Sequence, residues 1–395
     1  MPRKFASRRG LALWLPFLII VGCRRTAPVD ASKFMIEIRE GVRFVKNLAP
    51  QTVGSSTVRL ELLGKIGKLE GRDSRDILYE PADAARLPNG DILVLETGGC
   101  VVKRYNAKYE LISSFGGKGK GPGDFVSPYL LRLNPERNRI YVADSLISMF
   151  GLDGRFIDGF RYEAFGGTGS SLGQDFQTAG MAVLSGSRVV LPDDTTLWKG
   201  SVKNGLLRIY NESGQPVGTF GDILRFDDPY LTLNSNIVAF TADPEDNCYV
   251  AYSYQNRLDK YSPDGKLLFS ASRPLPYEVK FGMKDLVFTS GSVKKILPWP
   301  SVTSVSRSVG VDEKGRVWVL TYLSEPDEYR KFDEKSDLSR CFRLDVFNGD
   351  GLLVFSVAPP NVPFDRFSLN GDRIYFIDPN YESCVYEYRI IETGS

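Results

Sequence analysis

Not one histidine occurs among the 395 residues. That absence excludes Ser-His-Asp and Cys-His catalysis, imidazole-ligated haem or zinc, and any histidine general base. Cysteine is scarce, with 5 residues and no Cys-x-x-Cys spacing, so no zinc knuckle, redox dithiol or haem attachment motif exists. No charge of one sign predominates: 50 Lys+Arg stand against 48 Asp+Glu, a formal net charge of +2. Nothing in that balance attracts nucleic acid, and no nucleic-acid partner is expected. Long apolar runs are missing as well. The one candidate, Leu11 to Val21, is too short to cross a bilayer comfortably.

That run follows the basic residues Arg3, Lys4, Arg8 and Arg9, which is the layout of an export signal. It ends in Ile20-Val21-Gly22-Cys23, which resembles a bacterial lipobox. The expectation is a signal peptide over residues 1–22 and lipid attachment at Cys23, with the lipid as the sole contact with the membrane. Arg24 follows the cysteine where inner-membrane retention in enteric bacteria uses Asp, which points to the outer membrane of the cell envelope.

What the chain does have is a recurring glycine-rich turn. Phe115-Gly-Gly-Lys-Gly-Lys-Gly-Pro-Gly-Asp-Phe125 is echoed in weaker form at Phe165–Phe176, Leu63–Gly71 and Phe220–Asp222. Such a turn between strand-like segments is the joint of a repeat protein. Units of four short strands line up on it. In the first, Ala82–Leu87 turns at Pro88-Asn-Gly into Asp91–Leu95, followed by Val101–Tyr105 and Leu111–Phe115. Five further units start near Leu130, Ala179, Ile237, Val305 and Phe367. Asn- and Asp-rich turns join first to second strands, and Asp153-Gly154, Ser213-Gly214, Asp264-Gly265 and Asp350-Gly351 join third to fourth. The sixth unit lacks a last strand, while Val58–Leu63 stands alone at the start, with Val58, Leu60 and Leu62 on one side. The expected fold is therefore all-β, a six-bladed β-propeller with the N-terminal strand closing the last blade; closure leaves only short sheet edges. Residues 23–57 are a tether and a strand-pair prologue turning at Glu40-Gly41, and residues 58–395 form the propeller.

Phe115 to Pro128, followed by Arg139-Ile-Tyr-Val-Ala-Asp144, resembles the NHL-type six-bladed propellers, and the prologue Gly41–Asn47 is similar to that of bacterial propeller lipoproteins. Some NHL-like propellers are lyases with histidine-containing metal sites, an activity a chain without histidine does not inherit from the resemblance. The signatures of WD40 and kelch repeats are absent.

The ends of the second strands carry Glu96, Asp144, Asp193 and Asp378 in blades one, two, three and six, against Ser253 and Thr321 in blades four and five. Converging, they could hold calcium, which takes oxygen ligands; acting singly, each would cap its own turn. Cys100, Cys341 and Cys384 fall at the head of the third strand in blades one, five and six, and Cys248 in the second strand of blade four; equivalent positions on neighbouring blades are too far apart for disulfides, so buried free thiols are expected. Lys118 and Lys120 mimic a phosphate loop, yet the joint leads into a strand rather than a helix, which argues against nucleotide. Three insertions interrupt the spacing: Asp193–Gly205 with Trp198, Pro274–Pro300 with Trp299, and Ser324–Arg340 with Tyr329 and Phe332. Long loops on a rigid scaffold are where binding concentrates. The expected role is a non-catalytic binding or scaffold module for a protein, peptide or glycan, without cofactor. The alternative is a calcium-dependent hydrolase or lactonase.

Overall fold

A computed structural model of the protein describes residues 29–51, 57–67, 77–162, 180–193, 205–290, 293–324 and 341–393. Six four-stranded antiparallel sheets follow one another around an axis. Blade 1 comprises Pro81–Arg86, Ile92–Glu96, Val101–Tyr105 and Leu111–Gly116. Blade 2 comprises Leu130–Asn134, Arg139–Ala143, Ile147–Gly151 and Phe156–Phe160. Blade 3 comprises Ala182–Val183, Val189–Pro192, Leu207–Tyr210 and Pro216–Phe220. Blade 4 comprises Val238–Ala242, Cys248–Tyr252, Leu258–Tyr261 and Leu267–Ser272. Blade 5 comprises Ser306–Val311, Val317–Tyr322, Phe342–Phe347 and Leu353–Val357. Blade 6 comprises Arg366–Asn370, Arg373–Asp378, Cys384–Thr393 and, as its outermost strand, Thr57–Ile66. The first strand of each blade lies against that of the next, and the sixth against the first, so the ring is closed.

The core is not one mass but six apolar layers, one at each blade junction. Second strands are buried on both faces and share their side chains between two layers. Ile92 and Val94 face blade 6, whereas Leu93 and Leu95 face blade 2. Val317 and Val319 face blade 4, and Trp318 and Leu320 face blade 6. The period-2 projection of a strand makes this division automatic. It also explains why these segments read as unbroken apolar runs.

A second contact ties neighbouring blades at their rims. The turn between third and fourth strands carries a glycine with positive φ: Gly154, Gly214, Gly265 and Gly351. Each sits on an aromatic ring of the preceding blade's last strand, respectively Phe115, Phe160, Phe220 and Phe269, with a notional Cβ 2.5–3.0 Å from it. Glycine is required there twice over, for the backbone and for the space. At the closure the partners trade places. The equivalent turn residue of blade 1 is Tyr109, at φ 63°, and the last strand of blade 6 offers Gly64, whose missing Cβ would overlap the Tyr109 ring. The Tyr109 hydroxyl donates to Glu387 across the joint at 2.9 Å.

The closing strand differs from expectation in one residue. Val58 and Leu60 pack into the blade 5–6 layer, but Leu62 is exposed. A bulge where Glu387 and Tyr388 pair with Gly64 and Leu62 skips Leu63 and reverses the facing, so Ile66 is buried instead. The prologue hairpin Phe34–Arg39 and Val42–Asn47 lies on the outer edge of blade 4, where Val42–Asn47 pairs in parallel with Leu267–Ser272 and makes a six-stranded sheet. Asn47 fixes it, donating to Ser272 O at 2.8 Å and Gly351 O at 3.0 Å and accepting from Leu353 N.

Candidate binding face

The two ends of the ring are unlike. At one end are only tight turns, between first and second strands and between third and fourth. At the other run the second-to-third connections and the links between blades, and two long excursions among the described residues belong to this end. Between blades 3 and 4 the helix Pro229–Ser235 is capped by Asp228, whose carboxylate accepts from Leu231 N at 2.8 Å. Between blades 4 and 5 the insertion forms an arm, a two-stranded ribbon of Phe281–Ser290 and Val293–Val302. The arm rests on the helix, and the Phe226 and Phe281 rings lie 5.3 Å apart at its root. Trp198, Tyr329 and Phe332 lie outside the described residues, as does Cys23.

The glycine joint is architecture. Phe125 is wholly buried in the blade 1–2 layer, and the chain folds round it: Phe125 N donates to Gly117 O at 2.7 Å and Gly119 N to Phe125 O at 3.0 Å. Gly116, at φ 88°, leaves room for that ring. Lys118 and Lys120 point outward.

Each of the four carboxylates at the second-strand ends is engaged within its own blade or joint. Asp144 accepts from Val126 N at 2.6 Å and Ser127 N at 2.9 Å, fastening the end of the glycine joint to blade 2. Asp378 caps its turn, accepting from Asn380, Tyr381 and Glu382 N at 3.0, 2.9 and 2.7 Å. Asp193 is paired with Arg208 through both oxygens, at 2.9 Å each. Glu96 lies 2.8 Å from Lys103 Nζ, which also donates to Ile77 O at 2.6 Å. Burial raises the Glu96 pKa despite that lysine, since a desolvated carboxylate is penalised. All four are buried, and among the described residues no three acidic or sulfur ligands gather in a metal-binding group.

Polar residues on the innermost strands were not legible as a set in the sequence. Asp83 accepts from Leu131 N at 2.8 Å and Arg132 Nη1 at 2.6 Å and bonds Ser368 of blade 6, while Arg132 Nε reaches Met181 O at 3.0 Å. One carboxylate thus links blades 6, 1 and 2, and its arginine extends the chain of bonds to blade 3. The available signal was an acid among the small, apolar residues that open the strand Pro81–Arg86. Where blade 6 begins, Arg307 holds Asp365 with two bonds of 2.6 and 2.8 Å and Arg366 adds a third at 2.9 Å. Burial alone would raise the Asp365 pKa, but the two guanidinium groups prevail and hold it well below the usual carboxylate range.

The four cysteines after Cys23 are buried thiols, each beginning or just preceding a strand. Burial pushes Cys248 and Cys384 up to about 12, so neither is nucleophilic at neutral pH.

No protein-family model and no curated protein sequence matches the chain. Solved structures do. A member of the DUF4221 family from Bacteroides vulgatus matches with a TM-score of 0.53 at 10% identity, covering 86% of this chain and 99% of its own. A protein from Bacteroides fragilis, described as a candidate exported protein, matches with a TM-score of 0.53 at 10% identity, covering 88% and 99%. Virginiamycin B lyase from Staphylococcus aureus follows with a TM-score of 0.44 at 8% identity, covering 85% and 100%. The two Bacteroides likenesses agree with the propeller fold.

Proposed function

We propose that this protein is an NHL-like, lipid-anchored propeller of the bacterial cell envelope that binds a protein, peptide or glycan through its loop face without catalysis. One observation carries the reading. Among the described residues the long connections, the helix and the arm, belong to one end of a rigid ring, while the carboxylates there are spent on turns and ion pairs. A surface built of excursions over a fastened interior suits recognition rather than chemistry. The export signal, the lipobox and a structural neighbour described as a candidate exported protein support the envelope location. The outer membrane is the favoured site, on the evidence of Arg24.

Thermal melting with calcium and with chelator tests the non-catalytic part. A calcium-dependent hydrolase would be stabilised by about 2.7 kcal/mol at a hundredfold excess over its dissociation constant. The binding module shows no such shift. A chelator-sensitive melt would reject it in favour of the hydrolase. For the binding part, envelope cross-linking captures a partner in a manner lost when Tyr329 and Phe332 are replaced by Ala.

A further inference from the structure

The arm is an unusual object for a protein surface. A two-stranded ribbon is marginal on its own, yet this one extends ten residues per strand, about 33 Å. Among the described residues its root is packed, against the helix Pro229–Ser235 and Phe226. Further out, Val287 pairs with Ile296 and Leu286 with Leu297, on opposite faces of the ribbon. Val287 and Ile296 are 52% and 53% exposed, and Leu297 and Met283 are also exposed. Around them stand Lys284, Lys294 and Lys295, all exposed and in no ion pair, against the single acid Asp285.

Apolar side chains within a collar of unpaired lysines are complementary to an anionic bilayer, whose acyl boundary takes the first and whose headgroup charge attracts the second. The position of the chain's start agrees. Met35 and Ile36 of the prologue line the same cavity of about 550 Å³ as Val279 and Phe281 at the root of the arm. From Cys23 to Asp30 there are seven residue steps, at most about 25 Å of chain. A lipid at Cys23 would therefore keep the prologue, and with it the root of the arm, near the bilayer.

We propose that the arm is a second membrane contact, docking its outer half into an anionic lipid surface beside the anchor. The charge and exposure of the arm stand by themselves; the tether argument rests on the lipoprotein reading given above. Two contacts fix the orientation of the propeller, where one flexible tether would leave it free to tumble.

The test uses the full mature chain with an environment-sensitive dye on Val287→Cys or Ile296→Cys, since the four native thiols among the described residues are buried. Val217→Cys, on the exposed outer strand of blade 3, serves as the control. On vesicles containing phosphatidylglycerol the arm dyes shift to the blue and are quenched by brominated acyl chains, and the control dye is not. Replacing Lys284, Lys294 and Lys295 by Gln weakens this by about fivefold per lysine. Arm dyes that stay in water on anionic vesicles overturn the proposal, as do dyes shielded only after envelope proteins are added. Mass spectrometry of the N-terminus separates the two claims. An unacylated chain whose arm still enters the vesicles sinks the anchor and keeps the docking; an acylated chain with a wet arm does the reverse.

Discussion

The exchanged partners at the ring closure can be examined by a double-mutant cycle on Gly64 and Tyr109. In the native protein a methyl group at position 64 has no room, because the Tyr109 ring occupies the space and is held by its bond to Glu387. Overpacking of this kind costs about 1–3 kcal/mol. It is offset in part by the ~0.5–1 kcal/mol that Ala gains over Gly in a strand interior. Gly64→Ala alone is therefore expected to destabilise by roughly 0.5–2 kcal/mol. Once Tyr109→Ala has removed the ring, the same methyl meets open space, and only the strand gain remains. Gly64→Ala then stabilises by ~0.5–1 kcal/mol, so its effect changes sign between the two backgrounds and the coupling comes to about 1–3 kcal/mol. Urea unfolding followed by intrinsic fluorescence measures all four corners, and an unchanged m-value shows that only stability has moved. An equal cost for Gly64→Ala with and without the tyrosine ring would refute the reasoning, since the ring would then not be what excludes the methyl group.

Deleting residues 57–66 removes the burial of Val58, Leu60 and Ile66, worth about 3–6 kcal/mol against a margin of ~5–15 kcal/mol; a truncated chain that melts like the intact one would deny that this strand closes the ring. Asp144→Ala and Asp378→Ala each remove two or three N–H bonds to a buried carboxylate and are expected to cost ~1–3 kcal/mol. That loss is the same with calcium or chelator, and a loss seen only with calcium would make these residues ligands instead of caps. Glu96 titrates above its unfolded value, so its contribution is complete below about pH 4.3 and declines as pH rises through the raised value. Relative to Glu96→Gln, the wild type is thus most favoured in acid, and a stability difference that stays flat from acid to neutral pH would contradict it.

The blades were legible because each obeys local rules: apolar runs for strands buried twice, Asn and Asp turns between first and second strands, and Asp-Gly or Ser-Gly turns between third and fourth. What escaped was whatever depends on a distant partner. The prologue announces a hairpin at Glu40-Gly41, but nothing in it announces a parallel seat on Leu267–Ser272, since Asn47 and Ser272 are 225 residues apart. The bulge at Leu63, which exposes Leu62, follows from pairing with the last strand and has no sequence marker. Pro298 and Pro300 speak against a strand, yet in a two-stranded ribbon both strands are edges and a missing N–H costs no ladder bond. At the candidate site the recurrence of carboxylates was visible and their location correct. Their use was not, because capping or pairing is decided by whichever N–H or guanidinium lies within 3 Å in the folded molecule.

The seating of the first sixty-odd residues bears on the order in which the molecule can assemble. During synthesis the prologue emerges early, but its neighbour on blade 4 follows more than two hundred residues later, and the last partner of Thr57–Ile66 is Thr393. The prologue must therefore wait until blade 4 is made, and Thr57–Ile66 until blade 6 is. Such long-range pairing folds slowly, and the ring cannot shut until nearly the whole chain is available. Under the export proposed above, that delay keeps the first-made part of the chain from folding too soon.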